Sequence, residues 1–213
     1  MMMHQTKDHG CRHKNSVNLA GFLARSAVNG PGIRAVIWVQ GCPVRCEGCF
    51  NPEFWSFSPE NRVPVNQLAE RISALKNIDG VTFSGGEPFA QADALAALGE
   101  RVQEAGLSVV TFTGFSYDQI LKKKRPSWQH LLSVTDLLIA GPYIPTLSCR
   151  KPLIGSSNQE LIFLTGNRAY PPMDGEDNTG EVEVTVSRDG NISTTGFPPC
   201  HFIRQLAFHC NGV

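Results

Sequence analysis

The stretch Ile33-Arg34-Ala35-Val36-Ile37-Trp38-Val39-Gln40-Gly41-Cys42-Pro43-Val44-Arg45-Cys46-Glu47-Gly48-Cys49 decides how this chain is read. Residues 33–39 form an apolar, β-branched run bounded on its N-terminal side by Asn29-Gly30-Pro31-Gly32, which predicts a buried strand launched by a turn. The run ends at Gly41, so the cysteine loop hangs from the C-terminal end of that strand. Three thiolates on one loop can hold three irons of a cubane cluster. The fourth iron then has no cysteine from the loop and is a place for chemistry, as the open position of a catalytic zinc site is. Gly41, Pro43 and Gly48 suit a loop that curls around a cluster and lets another molecule approach its backbone. Two other readings of the residues stay open. Three cysteines can be unrelated buried thiols. They can also belong to a structural zinc site, which needs a fourth ligand, and the nearest downstream histidine is His130.

Outward from the loop, apolar runs alternate with helical periodicity. Leu68, Ile72 and Leu75 mark a helix over 64–76, and Gly80 to Ser84 a second strand that runs into Gly85-Gly86-Glu87-Pro88. Leu95, Leu98 and Val102 mark a second helix ending near Gly106, and Leu107 to Phe112 a third strand followed by Thr113-Gly114. Helices are expected over Tyr117 to Lys123 and 128–133, a fourth strand over Asp136 to Ile139 before Gly141-Pro142, and a fifth over Leu161 to Leu164. Strands alternating with helices predict parallel βα units with a site at the C-terminal edge of the sheet. About five units fall short of an eight-unit barrel, so the expected fold is α/β, a partial, open parallel βα barrel. Val182 to Val186 and Asn191 to Thr195 flank Arg188-Asp189-Gly190 and predict a β-hairpin extension. The expected division is a flexible polar tail over 1–17, a barrel domain over 18–166, and a loop with the hairpin over 167–213.

Composition narrows the function classes. The formal net charge is +0, so no basic surplus argues for nucleic acid or an anionic membrane. No apolar run is long enough to span a bilayer, and the N-terminus shows no signal-peptide core, which predicts a cytoplasmic protein. Seven cysteines are an odd number, which in a reducing compartment points to metal ligands and free thiols. Cys11, Cys149, Cys200 and Cys210 are scattered. With His201 and His209 beside two of them, an auxiliary metal site stands as the minor alternative to free thiols. Trp38 and Trp55 bracket the cysteine loop as packing or as a dry wall.

The spacing C-x3-C-x2-C after a first strand resembles the signature of radical S-adenosylmethionine enzymes. The resemblance implies a [4Fe-4S] cluster on Cys42, Cys46 and Cys49, whose open iron chelates the methionyl amino and carboxylate groups of S-adenosylmethionine. Many members carry an aromatic residue just before the third cysteine; this chain has Gly48 there and Phe50-Asn51-Pro52 after it. In that it is similar to the activating enzymes of anaerobic ribonucleotide reductases, a branch beside the pyruvate formate-lyase activating enzymes. Gly85-Gly86-Glu87-Pro88 resembles the GGEP motif of the superfamily. An ammonium group needs an acceptor, which Glu87 or local carbonyls can supply, and the glycines allow close approach. Thr113-Gly114-Phe115, the Gly141-Pro142-Tyr143 segment and Gly155-Ser156-Ser157-Asn158-Gln159 resemble further blocks of the activase branch. Ala140 departs from it, standing where an acidic residue often precedes Gly-Pro.

What the resemblance implies is reductive cleavage of S-adenosylmethionine to a 5′-deoxyadenosyl radical, which installs a glycyl radical on a partner enzyme. A reduced flavodoxin or ferredoxin would supply the electron. Gly85, Gly86, Glu87 and Thr113 would line the cofactor, and the backbone of Gly48 and Phe50 would lie near the adenine. No side-chain acid or base is expected beyond the cluster ligands. Two alternatives are a radical enzyme acting on a small molecule or peptide, and a non-catalytic iron–sulfur carrier or zinc module.

Overall fold

The computed structural model describes residues 15–59, 61–165, 181–186, 189–190 and 192–197. The parallel core consists of β2 (Arg34–Val39), β4 (Gly80–Gly85), β5 (Ser108–Thr113) and β6 (Leu137–Ala140). Two strands extend it antiparallel on one side, β1 (Ser16–Ser26) against β2 and β3 (Arg62–Pro64) against β1. On the other side β9 (Glu160–Phe163) pairs antiparallel with β6, giving a seven-stranded open sheet in the order β3-β1-β2-β4-β5-β6-β9.

Among the described residues, four α-helices connect the strands. α1 (Val65–Ser73) precedes β4, α2 (Ala92–Glu104) joins β4 to β5, and α3 (Tyr117–Lys123) and α4 (Pro126–Ser133) join β5 to β6. Ser116 opens α3 with a capping box shared with Gln119, which satisfies two end groups reciprocally. The core lies between these helices and one face of the sheet. Ile37, Phe83, Val109 and Leu138 from the strands meet Leu68, Leu95, Leu98 and Leu131 from the helices. Alternation places Val110, Leu137 and Ile139 on the opposite face, where the hairpin of β7 (Ser148–Lys151) and β8 (Ile154–Ser156) contributes Leu153 from its turn and Ile154 from β8. The expected hairpin is present as β10 (Val182–Val186) and β11 (Ile192–Gly196), and Phe197 just after it packs on Phe112 at 5.8 Å between ring centroids.

Three expectations are corrected. The fifth strand is not a further parallel unit: β9 runs antiparallel to β6. A parallel return needs a crossover of a dozen residues or more, usually a helix. Here the connection holds only a short 3-10 turn and the β7–β8 hairpin. Ser16 and Val17, expected in the tail, begin β1, and Val17 is fully buried. The strand at 34–39 is therefore the second of the sheet. β1 escaped detection because its pairing is bulged in two places, which blurs its alternation. Residues 1–14, with Cys11, and residues 198–213, with Cys200, His201, His209 and Cys210, lie outside the described residues. Among the described residues, no helix is long and apolar enough to cross a membrane.

Candidate iron–sulfur and cofactor site

All the motif loops meet at the C-terminal edge of the parallel strands. The cysteine loop leaves β2 through Gly41, whose φ of +99° is left-handed backbone that favours glycine. The loop is tied at its root. Gly41 N donates to Phe54 O at 2.8 Å and Cys42 N to Trp55 O at 3.2 Å, from a short 3-10 turn over Pro52–Trp55. Cys42 is buried, and Cys46 and Cys49 are half-buried; all three are free thiols. Burial pushes the Cys42 thiol up, against the backbone N–H groups of Arg45 and Val44. Burial also pushes Cys46 up, against the backbone N–H of Tyr143. Metal coordination would have to remove those protons, which a coordinating cation does outright.

The Gly85–Pro88 turn packs directly on that root. Gly86 N donates to Val39 O at 2.7 Å and Glu87 N to Gly41 O at 2.8 Å. A Cβ on Gly86 would stand 2.4 Å from Gly41 O, and one on Gly85 2.4 Å from Val39 N, so both positions exclude a side chain. Glu87 is 0% exposed and turns inward. Its Oε1 accepts from Phe89 N and from Thr113 Oγ1, each at 2.9 Å, and its Oε2 from Gly114 N at 2.8 Å. Burial pushes its carboxyl up to about 7, against the donors from Phe89, Gly114 and Thr113. Glu87 thus clamps the end of β4 to the end of β5. Its carboxylate is engaged in that clamp; the sequence offers Glu87 or the local carbonyls as acceptors for a ligand ammonium. Thr113 is buried with it, and Gly114 sits against Val44 of the cysteine loop.

The far flank of the loop meets the end of β6. Gly48 faces Pro145 and Tyr143, and the Phe50 ring lies 5.7 Å from that of Tyr143. The Gly155–Gln159 loop shapes this wall. Gln159 Nε2 donates to Gly141 O at 3.0 Å, its Oε1 accepts from Gly155 N at 2.8 Å, and Asn158 Nδ2 donates to Pro142 O at 2.8 Å. Ala140 is buried in the helix-side core, so this chain offers no carboxylate there.

Sequence reading missed an amide cluster beneath the loop. Gln91 donates to Asn18 O and Gln40 O, each at 3.0 Å, and accepts from Asn18 N at 2.7 Å. Gln40 Nε2 in turn donates to Glu53 O at 3.1 Å and Ser56 O at 2.9 Å. The only available signal was polarity at the ends of otherwise apolar strands, at Asn18 and Gln40.

The residues fit a cluster that binds through three cysteines. Among the described residues, no three Cys, His, Asp or Glu side chains are gathered as around a single ion. Thiolates of a cubane bind separate irons and stand farther apart than ligands on one tetrahedral zinc. Two buried polar atoms near the loop, the Trp55 Nε1 donor and the Asn158 Oδ1 acceptor, have no protein partner. Buried groups of this kind call for a ligand or ordered water.

Three thiols on one loop at this edge suit an iron–sulfur site, and residues 28–162 match the family of 4Fe-4S single cluster domains; the chain belongs to that family. It is 30% identical over 142 residues to the pyruvate formate-lyase-activating enzyme of Streptococcus mutans, covering 64% of this chain and 54% of that protein. It is also 30% identical over 142 residues to the anaerobic ribonucleoside-triphosphate reductase-activating protein of Enterobacteria phage T4, covering 63% of this chain and 86% of the phage protein. With the pyruvate formate-lyase-activating enzyme of Staphylococcus aureus strain USA300 it shares 32% identity over 133 residues, covering 60% of this chain and 51% of that protein. The chain thus spans about half the length of the pyruvate formate-lyase-activating enzymes it matches. The resemblance to radical S-adenosylmethionine activases, drawn above from the cysteine and Gly-Gly-Glu-Pro motifs, stands on these matches.

Proposed function

We propose that this chain is a radical S-adenosylmethionine enzyme that activates a glycyl radical enzyme, and that its sheet is the partial barrel of that class. The observation that carries the reading is the seating of three free thiols at the C-terminal edge of the parallel strands, hydrogen-bonded at their root to the Gly86-Glu87 turn. Cys42, Cys46 and Cys49 hold the cluster. The cluster would supply one electron for cleaving S-adenosylmethionine to methionine and a 5′-deoxyadenosyl radical, which takes a hydrogen atom from a glycine Cα of the partner.

The chain's own residues position and enclose. The backbone of Gly85 and Gly86 presents the methionyl end, and Glu87 and Thr113 hold that backbone in place. Gly48 and Phe50, with Tyr143 behind them, form the wall on which the adenine rests. A flavodoxin or ferredoxin would deliver the electron, in a reducing cytoplasm where free thiols persist. The test is anaerobic reconstitution with iron and sulfide, reduction, and chromatography for methionine and 5′-deoxyadenosine, followed by mixing with candidate glycyl radical enzymes. The expected results are both products in equal amounts and a glycyl doublet in the paramagnetic resonance spectrum. A fully loaded, reduced protein that yields no 5′-deoxyadenosine would overturn the reading. Cleavage without a radical on any glycyl partner would move the reading to a small-molecule or peptide substrate.

A further inference from the structure

The cysteine loop has two flanks. Gly48 and Phe50 face Tyr143 on one side. On the other side, Pro43, bonded to Cys42, borders a separate cavity of about 730 Å³ on the helix-covered side of the sheet. Phe57, 55% exposed, lines the cavity with its ring over Gly41, and Trp128 forms part of the floor.

The charge around this cavity is uneven. Among the described residues, Arg62, Lys123 and Arg125 line it, with Asp93 as the one acidic residue. The whole chain has a formal net charge of +0, so this is a local concentration. Two of these three cations, Lys123 and Arg125, lie over aromatic rings. Lys123 Nζ lies 5.0 Å from the Phe115 ring centroid and 5.1 Å from that of Trp128, and Arg125 Cζ lies 5.2 Å from Trp128. Their neighbour Lys122 is paired with Asp118 at 3.0 Å and points its charge elsewhere. A cationic rim beside an exposed aromatic ring is complementary to an acidic protein surface, and such complementarity raises encounter rates.

We propose that this cavity and its basic rim are the docking surface for an acidic one-electron carrier protein, which reduces the cluster through the Cys42–Pro43 side. The inference rests on the iron–sulfur reading above. In the step, the carrier is oxidised by one electron and the cluster reduced by one, with no bond made or broken. A carrier on this side leaves the Phe50–Tyr143 side uncovered.

The experiment compares wild type, Arg125→Glu and Arg62→Glu with Lys76→Glu. Lys76 is an exposed residue between α1 and β4, at the opposite end of the strands, and its reversal changes net charge equally. Arg125 is the residue preceding α4, where an acidic side chain is compatible with the helix end. Two readouts are taken on reconstituted protein: the rate at which flavodoxin hydroquinone bleaches the cluster absorbance, and the affinity for oxidised flavodoxin by fluorescence. Photoreduced deazaflavin, a small reductant, serves as the reference. At low ionic strength, Arg125→Glu and Arg62→Glu should each slow flavodoxin reduction about tenfold and weaken binding in parallel. High salt should remove the difference, Lys76→Glu should stay within about twofold of wild type, and the deazaflavin rates should be equal throughout. Equal flavodoxin rates for Arg125→Glu, Arg62→Glu and Lys76→Glu would overturn the docking surface while leaving the cluster reading intact. A cluster that deazaflavin cannot reduce would remove that reading, and this inference with it.

Discussion

The cysteine loop and the Gly85–Pro88 turn leave neighbouring parallel strands at the same edge, and both carry glycines that the sequence marks as ligand-facing. They are built in opposite ways. The loop is fixed at its root by backbone hydrogen bonds, while its three thiols remain free. The turn has its glycines wedged against neighbouring backbone, and its one charged side chain is fully buried and saturated by three donors. Thiols that form no disulfide and take backbone N–H groups are left for metal chemistry. Geometry belongs to the segment whose side chains are spent on holding. Substitutions should therefore separate, the loop losing function with little loss of fold and the turn losing fold first.

The largest expected effect is on the loop. Replacing Cys46 or Cys49 by alanine should abolish the iron–sulfur absorbance and any cleavage of S-adenosylmethionine. In the metal-free protein, the same changes should shift stability by no more than about 1 kcal/mol, because both side chains are half-exposed. Chemical denaturation of the apo-variants checks the second half, and a large apo-destabilisation would break the contrast.

The converse holds for Gly86→Ala. Its Cβ would lie 2.4 Å from Gly41 O and 2.9 Å from Phe54 O, both backbone atoms that cannot swing aside. We expect a loss of roughly 3 kcal/mol, which in a domain of this size lowers the midpoint of thermal unfolding by about 6–12 °C. Calorimetry on the apo-protein measures it.

Glu87 sharpens the comparison through pH. Its folded pKa is raised from 4.5 to about 7, so the folded state binds this proton more tightly than the unfolded chain. The resulting stabilisation is fully present below the ordinary glutamate pKa and is lost as pH rises through about 7. A shift of that size corresponds to roughly 3 kcal/mol across the window. Stability measured from pH 5 to pH 8 should fall in the wild type and be flatter in Glu87→Gln by this group's share. An equal slope in both proteins would mean that another group titrates.

The smallest effect is expected at Phe50, which is 41% exposed and paired with Tyr143. Phe50→Ala should cost about 1 kcal/mol or less in stability. It should raise the KM for S-adenosylmethionine several-fold and leave kcat nearly unchanged, as loss of a binding wall does.

Much of this edge was legible in the sequence because its signals are local. The strands over 34–39, 80–85 and 108–113 carry continuous apolar runs, and the C-x3-C-x2-C spacing needs no tertiary information. What escaped was set by distant partners. The direction of β9 depends on a connection containing a hairpin in place of a helix, which periodicity over 161–164 cannot report. The Asn18–Gln40–Gln91 cluster joins residues 73 and 51 positions apart, with no spacing rule to find them. The Gly-Gly-Glu-Pro motif is legible as a turn at the end of a strand, but the burial of its carboxylate is not. A glutamate on a polar loop reads as accessible, and only packing shows that Thr113 and Gly114 close over it.

The central claim is that the loop holds a cluster with one iron left open to S-adenosylmethionine, beside a turn that braces its root. Paramagnetic resonance of the reconstituted, reduced protein, recorded before and after adding S-adenosylmethionine, tests this most directly. The account predicts a [4Fe-4S]⁺ signal whose g-values shift on addition, with the signal lost in Cys46→Ala. A reduced cluster whose spectrum is unchanged by saturating S-adenosylmethionine would contradict it.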